Sequence, residues 1–116
     1  MDASIHIAIC DDSEVYRKYL MDLLQEWGRV HEHVCRFSQF ASAEEFLFAW
    51  EDHQDVSVFL LDIEMPGMNG VELARQIRQR NAQAQIVFIT GYSEYMAIGY
   101  DVEALHYLVK PIESEK

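Results

Sequence analysis

The chain has 116 residues and is poor in the residues that mark several large functional classes. Its two cysteines, Cys10 and Cys35, both lie in apolar segments, too few and too far apart for a disulfide framework or a CxxC metal site. They read as reduced core thiols. Basic residues are scarce, nine against twenty acidic ones, giving a formal charge of −11. A surface that negative repels phosphate backbones, which argues against DNA or RNA binding by this segment alone. No apolar run approaches the roughly 20 residues of a membrane helix. The opening MDASIHIAIC has no basic stretch before its apolar residues, so no secretory leader is expected and a cytoplasmic location is. There is no internal repeat, low-complexity tract or linker, and the length suits one domain.

What is present alternates between two periods. Apolar runs at Ile5–Cys10, Val56–Leu61, Ile86–Ile89 and Ala104–Val109, with a poorer run at Val34–Phe40 carrying Arg36 and Gln39, read as five strands, the second at an edge. His6 is the exception in the first of them. Between the runs, apolar residues recur at helical spacing: Tyr16, Leu20, Leu23, Leu24 and Trp27, stopping near Gly28; Ala43, Phe46, Leu47 and Trp50; Gly70, Leu73, Ala74 and Ile77. Ser42 with Glu45 and Asn69 with Glu72 are capping pairs. The segment Ser93–Tyr100 has a weaker helical pattern. Short loops joining alternating strands and helices predict an α/β fold, a doubly wound five-stranded parallel sheet with helices on both faces.

The polar strand endings then converge. Asp11 and Asp12 follow the first strand, Asp62 the third, Thr90 the fourth and Lys110 the fifth, all on the C-terminal rim where sheets of this class expose their chemistry. Each has a plain structural use as well. Asp12 and Ser13 can cap a helix, Asp62 can start a turn, Thr90 can end a strand and Lys110 can be a solvated charge. Their coincidence at four strand ends is the specific signal. Three carboxylates in one crevice repel unless a cation joins them, and a hard ion such as Mg²⁺ suits that donor set. Asp62 is then placed to attack phosphorus, with the metal, Lys110 and the Thr90 hydroxyl available to the phosphoryl oxygens.

This arrangement closely resembles the receiver domain of two-component response regulators along essentially the whole chain. The acidic pair Asp11-Asp12, LLDIEMPGMNG with Asp62, FIT ending at Thr90 and YLVKP with Lys110 carry the likeness. The resemblance implies a flavodoxin-like strand order 2-1-3-4-5 and names Asp62 as phosphoacceptor. It implies that Asp12, Asp62 and the Glu64 main-chain carbonyl bind Mg²⁺, with Asp11 placing the metal or its waters. Tyr107 matches a rotameric switch position, and a cis bond before Pro111 would aim Lys110 into the site. ITGYSEYMAIGYDVEALHYLVKPI is similar to receivers that precede LytTR-type DNA-binding domains. Gly91 stands where Ala is commoner, which should leave phosphate access open, and Glu64 and Tyr92 occupy positions that tune phosphoryl lifetime. The sequence stops at Lys116 where a fifth helix should start, so residues 1–116 are expected to be a C-terminally truncated receiver domain without its effector.

The implied function is a signalling switch. A sensor histidine kinase donates a phosphoryl group to Asp62, and the face made by the fourth helix and fifth strand then controls homodimerisation or a downstream output domain; DNA is reached only through that missing domain, and no membrane is involved. Self-phosphorylation and autodephosphorylation at Asp62 are the chemistry expected, not conventional turnover. Two other readings stay open. Asp62-Ile63-Glu64 loosely mimics a phosphohydrolase nucleophile with an acid two residues later, although a chain this short has no substrate-enclosing cap. A receiver fold acting as a binding module without phosphorylation is the other. His31-Glu32-His33 is set aside as solvent-facing, His106 as a structural strand residue, and Met65 and Met68 as packing; Tyr92, Tyr95, Tyr100 and Tyr107 suit either a partner surface or the core.

Overall fold

A computed structural model describes residues 4–53, 55–91 and 106–109, the last four by their main chain. Strands β1 (Ile5–Cys10), β2 (Cys35–Phe40), β3 (Val58–Leu61), β4 (Gln85–Thr90) and β5 (His106–Val109) form one sheet in the order β2-β1-β3-β4-β5. Each neighbouring pair is parallel. The strand order and the edge position of β2 agree with the sequence reading. The predicted segment Ser93–Tyr100 lies outside the described residues, as do Ala104 and Leu105 at the start of the predicted fifth strand.

Alternation along the strands divides the core between two faces. Ile7 and Ile9 of β1, Leu60 of β3 and Val87 and Ile89 of β4 pack on one face with Leu20 of helix α1 (Glu14–His31). Ala8, Cys10, Phe59, Leu61, Ile86 and Phe88 pack on the other, against α2 (Ala43–Phe48) and α3 (Gly70–Arg80). Phe46 of α2 centres that second face. Its ring meets Phe40, Trp50 and Phe59 edge-on at 5.1, 5.2 and 5.5 Å, the geometry favoured by aromatic quadrupoles.

His6 is buried in an otherwise apolar strand because both ring nitrogens are bonded, Nδ1 to Asp55 Oδ1 at 3.0 Å and Nε2 to Ser38 Oγ at 2.7 Å. Asp55 Oδ2 also accepts from Arg36 Nη2 at 2.9 Å. The sheet end opposite the strand C-termini is therefore tied by polar groups.

Two local expectations need correction. Helix α1 runs three residues past Gly28 and ends at Glu32, which takes the left-handed conformation (φ 60°). Gly28 serves close packing instead, since a Cβ there would lie 2.7 Å from the His33 carbonyl oxygen. The Ser42–Glu45 pair makes half of a capping box. Ser42 Oγ accepts from Glu45 N, but Glu45 Oε1 accepts from Ala41 N, one residue earlier than the box requires. The Asn69–Glu72 box at α3 is complete.

Candidate phosphorylation site

Register brings the acidic strand ends together. Cys10 of β1 lies beside Leu61 of β3, so the next residues, Asp11 and Asp62, leave the sheet at the same level. The Asp62 amide donates to the Cys10 carbonyl at 2.9 Å, and the Asp11 amide to that of Phe40 at 3.1 Å. Asp11, exposed Asp12 and Asp62 bring one carboxylate oxygen each within 4.8 Å of the others. Opposite ligands of an octahedral Mg²⁺ stand about 4.2 Å apart, so small side-chain adjustments suffice for one ion. Asp11 is 2 % and Asp62 7 % exposed, which keeps their mutual repulsion poorly screened.

Thr90 closes the same rim from β4. Its hydroxyl is fully buried and is the one buried side-chain polar atom among the described residues without a hydrogen-bond partner. Buried hydroxyls are normally paired, so an orphaned donor on the rim that carries three carboxylates points to an acceptor supplied by a ligand. Gly91 follows it, exposed, and a Cβ there would meet nothing within 4 Å among the described residues.

Asp11 is held from two sides. Its Oδ1 accepts from Ser13 N at 2.9 Å, while its carbonyl accepts from Arg17 Nη1 at 2.6 Å. Arg17 Nε also donates to Gln39 Oε1 at 3.1 Å, bridging α1 to β2. Sequence reasoning missed Arg17. A cation at the fourth position of a helix opposes the macrodipole, and that misplacement was the available signal. Ser13 does cap α1, accepting from Tyr16 N at 3.2 Å.

The loop after Asp62 is tightly built. Ile63 and Met65 are buried, and the Gly70 amide donates to the Ile63 carbonyl at 2.9 Å. A Cβ on Gly70 would fall 2.1 Å from the Asp62 carbonyl oxygen, so only glycine lets α3 start this close to the acidic residue. Gly67 has φ +78°, and the Met68 amide donates to Glu44 Oε2 of α2 at 2.8 Å. That hydrogen bond holds the Glu44 carboxyl below its ordinary pKa. Glu64 is exposed. Tyr107 sits on β5 in register with Phe88, whereas Tyr92, Lys110 and Pro111 lie outside the described residues.

The sequence matches the family model of the response regulator receiver domain over residues 7–116. The chain belongs to the response regulator receiver family. It is 38 % identical over its whole length to an uncharacterized response regulatory protein of Vibrio cholerae, of which the match covers 43 %. The sensory transduction protein LytT of Oceanobacillus iheyensis is 32 % identical over 97 % of the chain and 44 % of that protein. Among solved structures, the response regulator TrrA of Thermotoga maritima, in complex with Mg²⁺-BeF, superposes with a TM-score of 0.80 at 31 % identity, covering 94 % of this chain and 89 % of that one. The chemotaxis protein CheY4 of Vibrio cholerae gives 0.81 at 26 %, covering 97 % and 92 %. This receiver spans less than half the length of the curated relatives just named. No helix among its described residues is long and apolar enough to cross a membrane.

Proposed function

We propose that this receiver is a Mg²⁺-dependent phosphoacceptor switch in which Asp62 takes a phosphoryl group from the phosphohistidine of a sensor histidine kinase. The observation that carries the reading is the orphaned, fully buried Thr90 hydroxyl on the same rim as three clustered carboxylates. Asp11, Asp12, Asp62 and the Glu64 main-chain carbonyl are the residues that would hold the metal. When bound, Mg²⁺ supplies positive charge for the phosphoryl oxygens.

The chain's own groups do the rest. Asp62 is the nucleophile, forming an acyl phosphate as the donor imidazole leaves. Thr90 donates its free O–H to a phosphoryl oxygen, and Lys110 neutralises another. Glu64, Gly91 and Tyr92 set access to the acyl phosphate and its lifetime. Movement of Thr90 toward the new charge opens space for Tyr107, and a face of the fourth helix and fifth strand, as the sequence leads us to expect, changes its affinity for a second copy or for an output domain. The output we propose is a LytTR-type DNA-binding domain in a longer cytoplasmic protein; the relatives named above are more than twice as long as the segment matched. The test is Asp62→Asn, which should abolish Mg²⁺-dependent labelling by acetyl phosphate or a cognate kinase. Undiminished labelling of that variant overturns the assignment.

A further inference from the structure

Glu44 stands near the start of α2, just past the C-terminal end of β2, and its carboxylate reaches the loop that carries Glu64. Oε2 accepts from the Met68 amide at 2.8 Å, and the same carboxylate lies against Gly67, whose Cβ, if present, would come within 2.6 Å of Oε2. The fit therefore needs both features of residue 67, its positive φ and its missing side chain. The loop is fixed at its two ends by Ile63, whose carbonyl accepts from Gly70 N, and by the Asn69–Glu72 box. Between them Glu64, Pro66 and Gly67 are exposed, and the Glu44 bond ties this outward stretch to a separate element.

Resting on the reading of Asp62 as phosphoacceptor and of the Glu64 carbonyl as a metal ligand, we infer that Glu44 is a positioning residue for the phosphorylation site. By holding Gly67–Met68 against α2 it keeps the main chain at Glu64 level with Asp11, Asp12 and Asp62. Its action is that of a hydrogen-bond acceptor. As a charge it would merely add to an acidic surface and draw cations from a distance, an effect that salt screens. The two roles separate cleanly in a glutamine, which retains an acceptor oxygen and lacks the charge.

The experiment compares the wild-type chain with Glu44→Gln and Glu44→Ala. Three quantities are read: hydrogen exchange of the Met68 amide without metal, the dissociation constant for Mg²⁺, and the rate of labelling by acetyl phosphate. Glu44→Ala should exchange the Met68 amide about fivefold faster, bind Mg²⁺ about fivefold more weakly and label more slowly, the scale of one ordinary hydrogen bond lost at an exposed position. Glu44→Gln should stay within about twofold of wild type in all three, the margin for a neutral acceptor replacing a charged one. Equal weakening in both variants would show a long-range charge effect, and wild-type values in Glu44→Ala would show no role; either overturns the inference while leaving Asp62 as phosphoacceptor. A wild-type chain that neither binds Mg²⁺ nor labels overturns both readings.

Discussion

Replacing Gly70 with Ala sets two physical rules against each other. Glycine is the poorer helix former by about 1 kcal/mol, so on propensity alone the substitution at the start of α3 should stabilise the protein. Packing gives the opposite sign. The new Cβ would lie 2.1 Å from the Asp62 carbonyl oxygen, 2.9 Å from its carbon and 3.0 Å from Ile63 Cα, all main-chain atoms that cannot rotate away as a side chain would. Relief requires a backbone shift of more than an ångström, and forced overpacking of this kind costs about 1–3 kcal/mol or more. We expect a net loss of about 2 kcal/mol, which lowers the melting temperature by roughly 8 °C in a domain of this size. Because the displaced main chain belongs to Asp62, labelling by acetyl phosphate should fall as well. Gly91→Ala on the same rim is the control: with nothing within 4 Å of its Cβ among the described residues, it should leave stability within about 0.5 kcal/mol. Thermal unfolding followed by circular dichroism reads both variants. A melting temperature for Gly70→Ala equal to or above wild type would refute the packing argument.

Thr90→Val removes an unpaired buried hydroxyl at nearly constant shape, so the unphosphorylated protein should gain about 1 kcal/mol in urea unfolding while its spectral response to acetyl phosphate is lost; destabilisation would mean the hydroxyl is already satisfied. Asp55 is held at about 2, below its ordinary 3.8, chiefly by Arg36 and further by His6. A lowered carboxyl pKa stabilises the native state above the unfolded value, so this contribution is lost as pH falls from about 4 to about 2, and Asp55→Asn should flatten the acid limb of the stability curve there. Burial, with Glu45 and then Asp11 nearby, pushes the Cys10 thiol up to about 12, whereas Cys35 is only partly buried. Mass spectrometry after alkylation at pH 8 should find Cys35 modified in the native protein and Cys10 only after denaturation. The same shift favours the folded state below pH 9 and is lost as pH rises toward 12.

The parts of the site legible in the sequence were those written locally. Apolar runs ending on Asp11, Asp62 and Thr90 announce strand ends, and one strand register suffices to gather the acidic pair around Asp62. Asn69 and Glu72 announce a helix start because both halves of the box lie within four residues. Gly28 misled because a glycine after an apolar face reads as a stop, while its use here is a contact with His33 that depends on the path of the chain beyond it. The left-handed residue that ends α1 is a glutamate, which propensity disfavours. Arg17 and Glu44 were missed for another reason. Each serves a main-chain group, the Asp11 carbonyl and the Met68 amide, and every residue type offers those.

The glycines at 70 and 91 meet opposite surroundings. At Gly70 main chain presses against the main chain of Asp62 with no room for a methyl group; at Gly91 a methyl group would touch nothing among the described residues. The acidic residue is thus mounted like a spring clamped at one end. On the clamped side the Cys10 carbonyl, the main chain of Gly70 and the capped start of α3 resist displacement of Asp62. Under the proposed phosphorylation of Asp62, displacement should therefore run away from Gly70, so the direction of the response is set by packing that exists before the charge arrives.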